Sequence, residues 1–134
     1  MIGIRIYSGA PFEAMAGYAR AVVDPPYVFV SGTTGFDPET LQFPEGVEAQ
    51  CENCFATIDR ALAQAGASMD DLVRIRVYVA SRAEFERIKP IIKKHCDRAR
   101  PANTTVLAEL VEPYMRVEIE VTARLPAVEH QGRP

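Results

Sequence analysis

The chain has 134 residues, 48% of them hydrophobic and 25% charged, with a net charge of −3 at pH 7. This composition is typical of one globular domain, and it excludes the basic footprint of a nucleic-acid-binding protein. The sequence contains no run of eighteen apolar residues, so no membrane span is expected. The N-terminus lacks the basic flank and long apolar stretch of a signal peptide. We therefore expect a cytoplasmic protein.

The N-terminal third is predicted to be rich in strands. Residues 2–6 alternate weakly between apolar and polar types, and residues 8–11 form a predicted loop. Residues 18–23 and 27–31 are rich in strand formers, and the turn-forming Asp24-Pro25-Pro26 separates them. This arrangement predicts a hairpin of two antiparallel strands.

A helix is predicted from near Gly46 to Gly66, because apolar residues recur at steps of three and four along it. They are Val47, Cys51, Cys54, Phe55, Ile58, Leu62 and Ala65. Cys51 and Cys54 form a CxxC motif, but no second pair of ligands accompanies it, as a structural zinc site would require. With Cys96 the cysteine count is odd, which argues against a disulfide framework. We interpret these cysteines as small buried hydrophobic residues.

The centre of the chain reads as a strand followed by helical segments. Residues 72–79 are apolar at nearly every second position. Ser81 and Glu84 then have the spacing of a capping box at a helix start. Since proline interrupts helices, we predict that a short turn ends near Lys89 and that a new helix begins at Pro90. That helix would bury Ile91, Ile92 and Cys96.

Basic residues gather near the end of that helix, at Lys93, Lys94, Arg98 and Arg100. Cations suit the C-terminal end of a helix dipole, so we interpret this basic patch as a solvated helix face. Residues 103–110 and 115–124 read as strands. In the second of these, Val117, Ile119, Val121 and Ala123 share one face, and the charged residues share the other.

Strands grouped with helices predict an α+β fold with the helices on one face of the sheet. Residues 1–126 are predicted to form a single domain, and the polar residues 127–134, which include His130, a flexible tail. The uncovered sheet face would carry apolar and mixed side chains, so we also expect the chain to form an oligomer.

Several segments resemble the Rid (RidA/YjgF) family. Residues 27–35, YVFVSGTTG, are similar to the family's strand-and-loop signature of hydrophobic residues followed by SGQ, with Thr33 in place of the glutamine. Residues 81–91 are similar to its DFxxVN region. Arg100-Pro101-Ala102, followed later by the VEIE of residues 117–120, is similar to its PARS…VEIE ending. The resemblance covers residues 18–123, with the motifs in the family's order and spacing.

The resemblance implies a chorismate-mutase-like fold, with a mixed sheet of about six strands and two helices packed on one face. It implies a homotrimer that binds small molecules in three clefts between adjacent subunits. Members of the family hydrolyse reactive imines and enamines such as 2-aminoacrylate, releasing ammonia and a 2-keto acid. They need no metal and no organic cofactor.

The resemblance also implies site residues. Glu118 occupies the position of a glutamate that contacts the ligand and positions water, and Tyr18 that of a tyrosine lining the cleft. Gly32 would let the backbone approach a ligand closely. Asn103 stands where the family has an arginine that grips the substrate carboxylate, and Thr105 would share its side of the strand.

The asparagine matters because an amide can donate a hydrogen bond to a carboxylate but cannot neutralise its charge. Arg20 is a candidate for the replacement cation, since it would share a strand face with Tyr18; the alternative is that it is a salt-bridge partner. Glu120 shares a face with Glu118 but is interpreted as structural. His95 and Cys96 are adjacent on a helix and cannot face each other as a nucleophile pair.

Three functions remain open at this point. The first is a hydrolase acting on a small imine or enamine, in which classical 2-aminoacrylate deamination is in question because of Asn103. The second is a non-catalytic metabolite-binding or regulatory trimer. The third is the ribonuclease or translation-inhibitor activity of an old family label, which the acidic balance of the chain disfavours.

Overall fold

A computed structural model describes residues 3–127, in which six strands form one sheet. The elements are β1 (Ile4–Ile6), α1 (Pro11–Ala16), β2 (Ala21–Asp24), β3 (Tyr27–Thr34), α2 (Val47–Gln64), β4 (Leu72–Val79), α3 (Arg82–Cys96), β5 (Ala102–Leu107) and β6 (Val117–Arg124). The strand order is β1-β2-β3-β6-β4-β5, and every pair is antiparallel except β4 and β5, which α3 connects. The predicted α+β class with a mixed six-stranded sheet is confirmed. The predicted tail lies outside the described residues from position 128 onward.

The core lies between the sheet and the two long helices. The predicted apolar stripe of α2 is buried from Val47 to Leu62, and Ala65 after it is partly buried. In α3, Ile88 and Ile92 are buried, whereas Ile91, which was predicted to be buried, is only partly so. These side chains meet Val117, Ile119 and Val121, which alternate along β6 as the sequence predicted. Cys51, Cys54 and Cys96 are all buried free thiols, so the interpretation of the cysteines as small hydrophobic residues is confirmed.

The prediction that Pro90 separates a turn from a new helix is wrong, because α3 runs unbroken from Arg82 to Cys96 with Pro90 inside it. Proline lacks an N–H group, so the helix loses one internal hydrogen bond at this point. Burial of Ile88 and Ile92 on either side of the proline offsets that loss. The predicted cap is present, since the Ser81 side chain accepts a hydrogen bond from the Glu84 N–H group.

The predicted hairpin forms, but its first strand begins at Ala21 and not at residue 18. Residues 11–16 form α1, a helix that the sequence analysis missed, and the N–H groups of Gly17 and Tyr18 both bond to the Glu13 carbonyl as it ends. Tyr18 and Arg20 therefore lie in a connection between α1 and β2. The prediction that Tyr18 and Arg20 share a strand face is wrong, because neither residue lies in a strand.

The strand predicted for residues 103–110 is also shorter, because β5 ends at Leu107. Its only neighbour in the described sheet, β4, ends at Val79. The last hydrogen bond between the two segments runs from the Ala108 N–H group to the Val79 carbonyl. Beyond that point no strand remains for the chain to pair with.

The second face of the sheet carries no helix within residues 3–127. Phe29 of β3 and Val106 of β5 are exposed on it, and Tyr78, Glu118 and Glu120 lie between them on the central strands. This face combines apolar and charged side chains, as the sequence analysis expected. Among the same residues, no helix has both the length and the hydropathy that crossing a membrane requires.

Candidate functional site

A β-bulge near the end of β3 shapes the first part of the site. Val30 is paired with Val121 and Thr33 with Ile119, so β3 contains one residue more than β6 between these two pairs. The extra residue falls at Ser31-Gly32 and releases backbone groups from the ladder. The Gly32 carbonyl accepts a hydrogen bond of 2.8 Å from Arg20 Nη1, and the Ser31 hydroxyl donates one of 2.6 Å to the Ala19 carbonyl.

Glu118 lies directly over the bulge. It is opposite Thr34 on one side and Tyr78 on the other, on the uncovered sheet face. A Cβ atom added to Gly32 would lie 3.0 Å from Glu118 Cδ and closer still to Oε2, so the carboxylate fits there only because residue 32 is glycine. Within residues 3–127 no hydrogen bond reaches this carboxylate, which leaves both oxygens for a ligand or water.

The environment of Glu118 favours its protonated form more than water does. Burial raises the pKa of this carboxyl above its usual value, and repulsion from Glu120 raises it further, while Arg20 opposes both effects. A carboxylate with a raised pKa is a better proton acceptor near neutral pH than an ordinary one.

Glu120 has a different role, because its own oxygens are occupied. The Tyr78 hydroxyl donates a hydrogen bond of 2.5 Å to Glu120 Oε1, and Arg76 Nη1 lies 3.6 Å from Oε2. The hydrogen bond to Glu120 raises the pKa of Tyr78, and burial of the phenol adds to the effect. These contacts agree with the interpretation of Glu120 as structural.

Arg20 is buried beneath the bulge. Its side chain forms an ion pair of 3.0 Å with Glu13, and both side chains are almost fully buried, at 5% and 3% exposed. Arg20 Nη1 also donates to Thr33 Oγ1 at 3.0 Å. Burial alone would raise the pKa of Glu13, but hydrogen bonds from Ser8 and Arg20 hold it below its usual value. The charge of Arg20 is thus already balanced, which favours the salt-bridge alternative over a substrate-binding cation.

Tyr18 lies beside this ion pair at the surface. It is 36% exposed, and the guanidinium carbon of Arg20 lies 5.4 Å from the centre of its ring. The Tyr18 oxygen is 3.5 Å from Arg20 Nη2. Arg20 therefore holds both Tyr18 and the Gly32 carbonyl in place. We call Tyr18, Gly32 and Glu118 the first half-site.

Asn103 and Thr105 form a second half-site on β5, at the edge of the sheet. The Thr105 hydroxyl donates a hydrogen bond of 2.8 Å to Asn103 Oδ1. In the sheet register Asn103 is beside Ile75, which in turn is opposite Val121, so β4 separates the second half-site from β6. Strand spacing and rise place the backbones of Asn103 and Glu118 roughly 14 Å apart.

The two half-sites also face different ways. Asn103 shares the helix-covered face with the buried Ile75, whereas Glu118 lies with Tyr78 on the uncovered face. One chain therefore does not bring all six predicted site residues together. No group of three or more potential metal-ligating side chains occurs in the part of the chain that the structure describes.

Glu13, the buried partner of Arg20, was not among the predicted site residues. A signal for its helix was available, because Pro11 followed by an acidic residue in the first turn is typical of a helix start. All four side chains of the basic patch are exposed, which agrees with its interpretation as a solvated helix face. Lys94 pairs with Glu52 and Arg98 with Asp70, whereas Lys93 and Arg100 line the same hollow as Asn103.

Comparison with known proteins gives the family directly. The sequence profile described as "Endoribonuclease L-PSP" matches residues 8–125. The chain therefore belongs to this family, which is the Rid (RidA/YjgF) family that its motifs resemble. It is 29% identical over 121 residues to a protein of Capra hircus named "2-iminobutanoate/2-iminopropanoate deaminase", covering 89% of this chain and 88% of that one.

A second relative, from Arabidopsis thaliana, is named "Reactive Intermediate Deaminase A, chloroplastic" and is 30% identical over 113 residues, covering 84% of this chain and 60% of that one. Among solved structures, Rv2704 of Mycobacterium tuberculosis, a member of the YjgF/YER057c/UK114 family, superposes with a TM-score of 0.83 at 33% identity. That match covers 92% of this chain and 99% of Rv2704, so the fold is that of the family throughout.

Proposed function

We propose that this chain is a cofactor-independent hydrolase that deaminates a small, carboxylate-bearing imine or enamine in clefts between the subunits of a homotrimer. The observation that carries the proposal is the Glu118 carboxylate, which lies over Gly32 with a raised pKa and no hydrogen-bond partner among residues 3–127. The names of the two deaminase relatives supply the substrate class.

The homotrimer is proposed because the two half-sites face apart within one chain. A second copy that places its β5 edge against the uncovered face of the first would bring Asn103 and Thr105 to Glu118. The exposed Phe29 and Val106 give that face the apolar surface that a subunit interface needs. Closed cyclic symmetry would repeat the cleft at each of three interfaces.

The chemistry follows from the position of Glu118. The carboxylate accepts a proton from water while the water oxygen bonds to the imine carbon and the C=N electron pair moves to nitrogen. The nitrogen takes up that proton from Glu118, which gives a carbinolamine. Transfer of the hydroxyl proton to the same nitrogen, again through Glu118, then breaks the C–N bond as the C=O bond forms, which releases ammonia and leaves a 2-keto acid. Backbone N–H groups beside Asn103 and Thr105 would stabilise the charge that develops.

The proposal is tested by generating 2-aminoacrylate in the cuvette with a serine dehydratase and following pyruvate release in the presence of semicarbazide, which intercepts the imine. The wild-type chain should hydrolyse the imine before semicarbazide intercepts it. Glu118→Gln should lower this rate of hydrolysis by roughly 10²–10⁴-fold. Glu86→Gln, a change at an exposed carboxylate that pairs with Lys89, is the matched control. Equal activity of wild type and Glu118→Gln would contradict the proposal.

A second candidate is a trimer that binds a metabolite without turning it over. Asn103 favours it, because a neutral amide holds a carboxylate less tightly than a guanidinium does. Stabilisation of the wild-type chain by 2-oxobutanoate together with no acceleration of imine hydrolysis would select this candidate. The cytoplasmic location and the absence of nucleic-acid binding stay predictions.

A further inference from the structure

A hollow of about 140 Å³ lies beside Asn103, between the end of α3 and the start of β5. Ile75 and Cys96 contribute apolar surface to it. Its polar and remaining lining residues are Lys93, Asp97, Arg100, Pro101 and Asn103. The hollow is open to solvent and large enough for a carboxylate and a short carbon chain.

Two cations on the rim share one carboxylate. Lys93 Nζ lies 3.1 Å from Asp97 Oδ1, and Arg100 Nη2 lies 2.8 Å from the same oxygen. Lys93 and Arg100 together lower the pKa of Asp97, with the hydrogen bond from Lys93 as the largest cause, so Asp97 is ionised at neutral pH. Two positive charges against one negative charge leave the rim with a net charge of +1.

Asn103 also lines the hollow, and its amide oxygen is already hydrogen-bonded. Because the Thr105 hydroxyl donates to Asn103 Oδ1, the carbonyl end of the amide is occupied and the NH₂ end is turned away from Thr105. Within residues 3–127 this NH₂ group has no acceptor. A donor pair, an ammonium and a guanidinium therefore border one space of the size that a small carboxylate needs.

We propose that Lys93 and Arg100 supply the positive charge that Asn103 lacks, and that the carboxylate of the substrate binds in this hollow against these three side chains. The inference rests on the proposed function and deepens it by assigning the residues that recognise the substrate's charge. Asp97 is a competitor that holds the two cations in place and weakens their attraction for the ligand.

Arg20 does not fill this role. It is buried in an ion pair with Glu13 beneath the first half-site, so its charge is already balanced. Lys93 and Arg100 are on the same side of the sheet as Asn103 and remain accessible to a ligand, with side chains 69% and 76% exposed.

The experiment measures binding of 2-oxobutanoate, the stable keto-acid product class, to the full chain by titration calorimetry. Lys93→Gln and Arg100→Gln should each weaken binding by roughly three- to tenfold, and Asp97→Asn should tighten it by roughly two- to fivefold. Lys94→Gln is the matched control, because Lys94 is adjacent in sequence but pairs with Glu52 on α2. The neutral 2-oxobutanamide is the second probe, and its affinity should not respond to any of the four changes.

The outcomes separate the inference from the proposed function. Opposite effects of Lys93→Gln and Asp97→Asn, seen only with the charged probe, support the inference. If the wild-type chain binds 2-oxobutanoate and all four variants match it, the inference is wrong and the proposed function stands. If the wild-type chain neither binds 2-oxobutanoate nor accelerates imine hydrolysis, the proposed function is wrong and the inference is wrong with it.

Discussion

Arg20 donates a hydrogen bond of 2.8 Å to the carbonyl of Gly32, the residue whose other side is covered by the Glu118 carboxylate. The bulge is thus fixed from below by a buried cation and covered from above by the proposed base. Glu13, which pairs with Arg20 at 3.0 Å, completes this support without reaching the uncovered face of the sheet.

Breaking the buried pair should destabilise the protein strongly. Arg20→Met leaves the Glu13 carboxylate buried without its cation, which we expect to lower the free energy of unfolding by about 3–5 kcal/mol, measured by urea denaturation. Arg87→Met removes one partner of the exposed pair with Glu48 and should cost far less, since solvent screens that pair. Similar losses in the two variants would show that the Arg20–Glu13 pair does not support the fold.

A methyl group at position 32 should remove activity while leaving the fold intact. Gly32→Ala would push its Cβ into the Glu118 carboxylate and displace it from the bulge. We expect imine hydrolysis to fall by more than about tenfold, with an unchanged circular dichroism spectrum. Gly46→Ala is the control, because the nearest atom to its added Cβ is 3.9 Å away. Full activity in Gly32→Ala would mean that the close approach of Glu118 to Gly32 has no role.

The pH profile should report the raised pKa of Glu118. A general base must be deprotonated, so activity should rise with pH through a value above the ordinary 4.5 of a glutamate. Glu120→Gln removes the repulsion that contributes to the shift, and the acidic limb of the profile should then move to lower pH. A limb that stays in place in Glu120→Gln would contradict the coupling of the two carboxylates.

The same shift predicts a stability cost. A carboxyl whose pKa is higher in the folded state than in the unfolded state binds its proton more tightly when folded, so its contribution to stability falls as pH rises through the two pKa values. Glu118→Gln should therefore be more stable than wild type at pH 7, and the difference should vanish below pH 4.5, the ordinary pKa of a glutamate. Urea midpoints at both pH values check this; a less stable variant at pH 7 would be the contrary result.

The three cysteines should be inert in the folded protein. Burial raises the pKa of Cys51 to about 12 and that of Cys96 to about 11, and it raises the pKa of Cys54 as well. Since the thiolate is the reactive form, Ellman's reagent at pH 8 should label none of them until denaturant is added. Rapid labelling of a thiol in the native protein would contradict their burial.

The sequence predicted the elements whose signals are local and periodic. The apolar steps along α2 and the alternation along β6 each indicate one buried face, and both faces are buried as expected. The predicted helix break at Pro90 was wrong because tertiary packing of Ile88 and Ile92 outweighs the low helix propensity of proline. That packing is not visible in the sequence around the proline.

The site was only partly predictable for a related reason. Motif resemblance assigned Glu118 and Asn103, but the pairing of Arg20 with Glu13 depends on how α1 folds back onto the sheet. Likewise, Lys93 and Asn103 line one hollow only because α3 connects β4 to its parallel neighbour β5. Such contacts join distant parts of the chain and have no periodic signal.

The central claim is that each working cleft takes Glu118 from one subunit and Asn103 from its neighbour. It is tested most directly by co-assembling two inactive variants, Glu118→Gln and Asn103→Asp, in equal amounts and measuring imine hydrolysis. With random mixing in a cyclic trimer, about one quarter of the clefts should contain both an unchanged Glu118 and an unchanged Asn103. About one quarter of wild-type activity should then return. Mixed assemblies as inactive as the two parents would contradict a cleft shared between subunits.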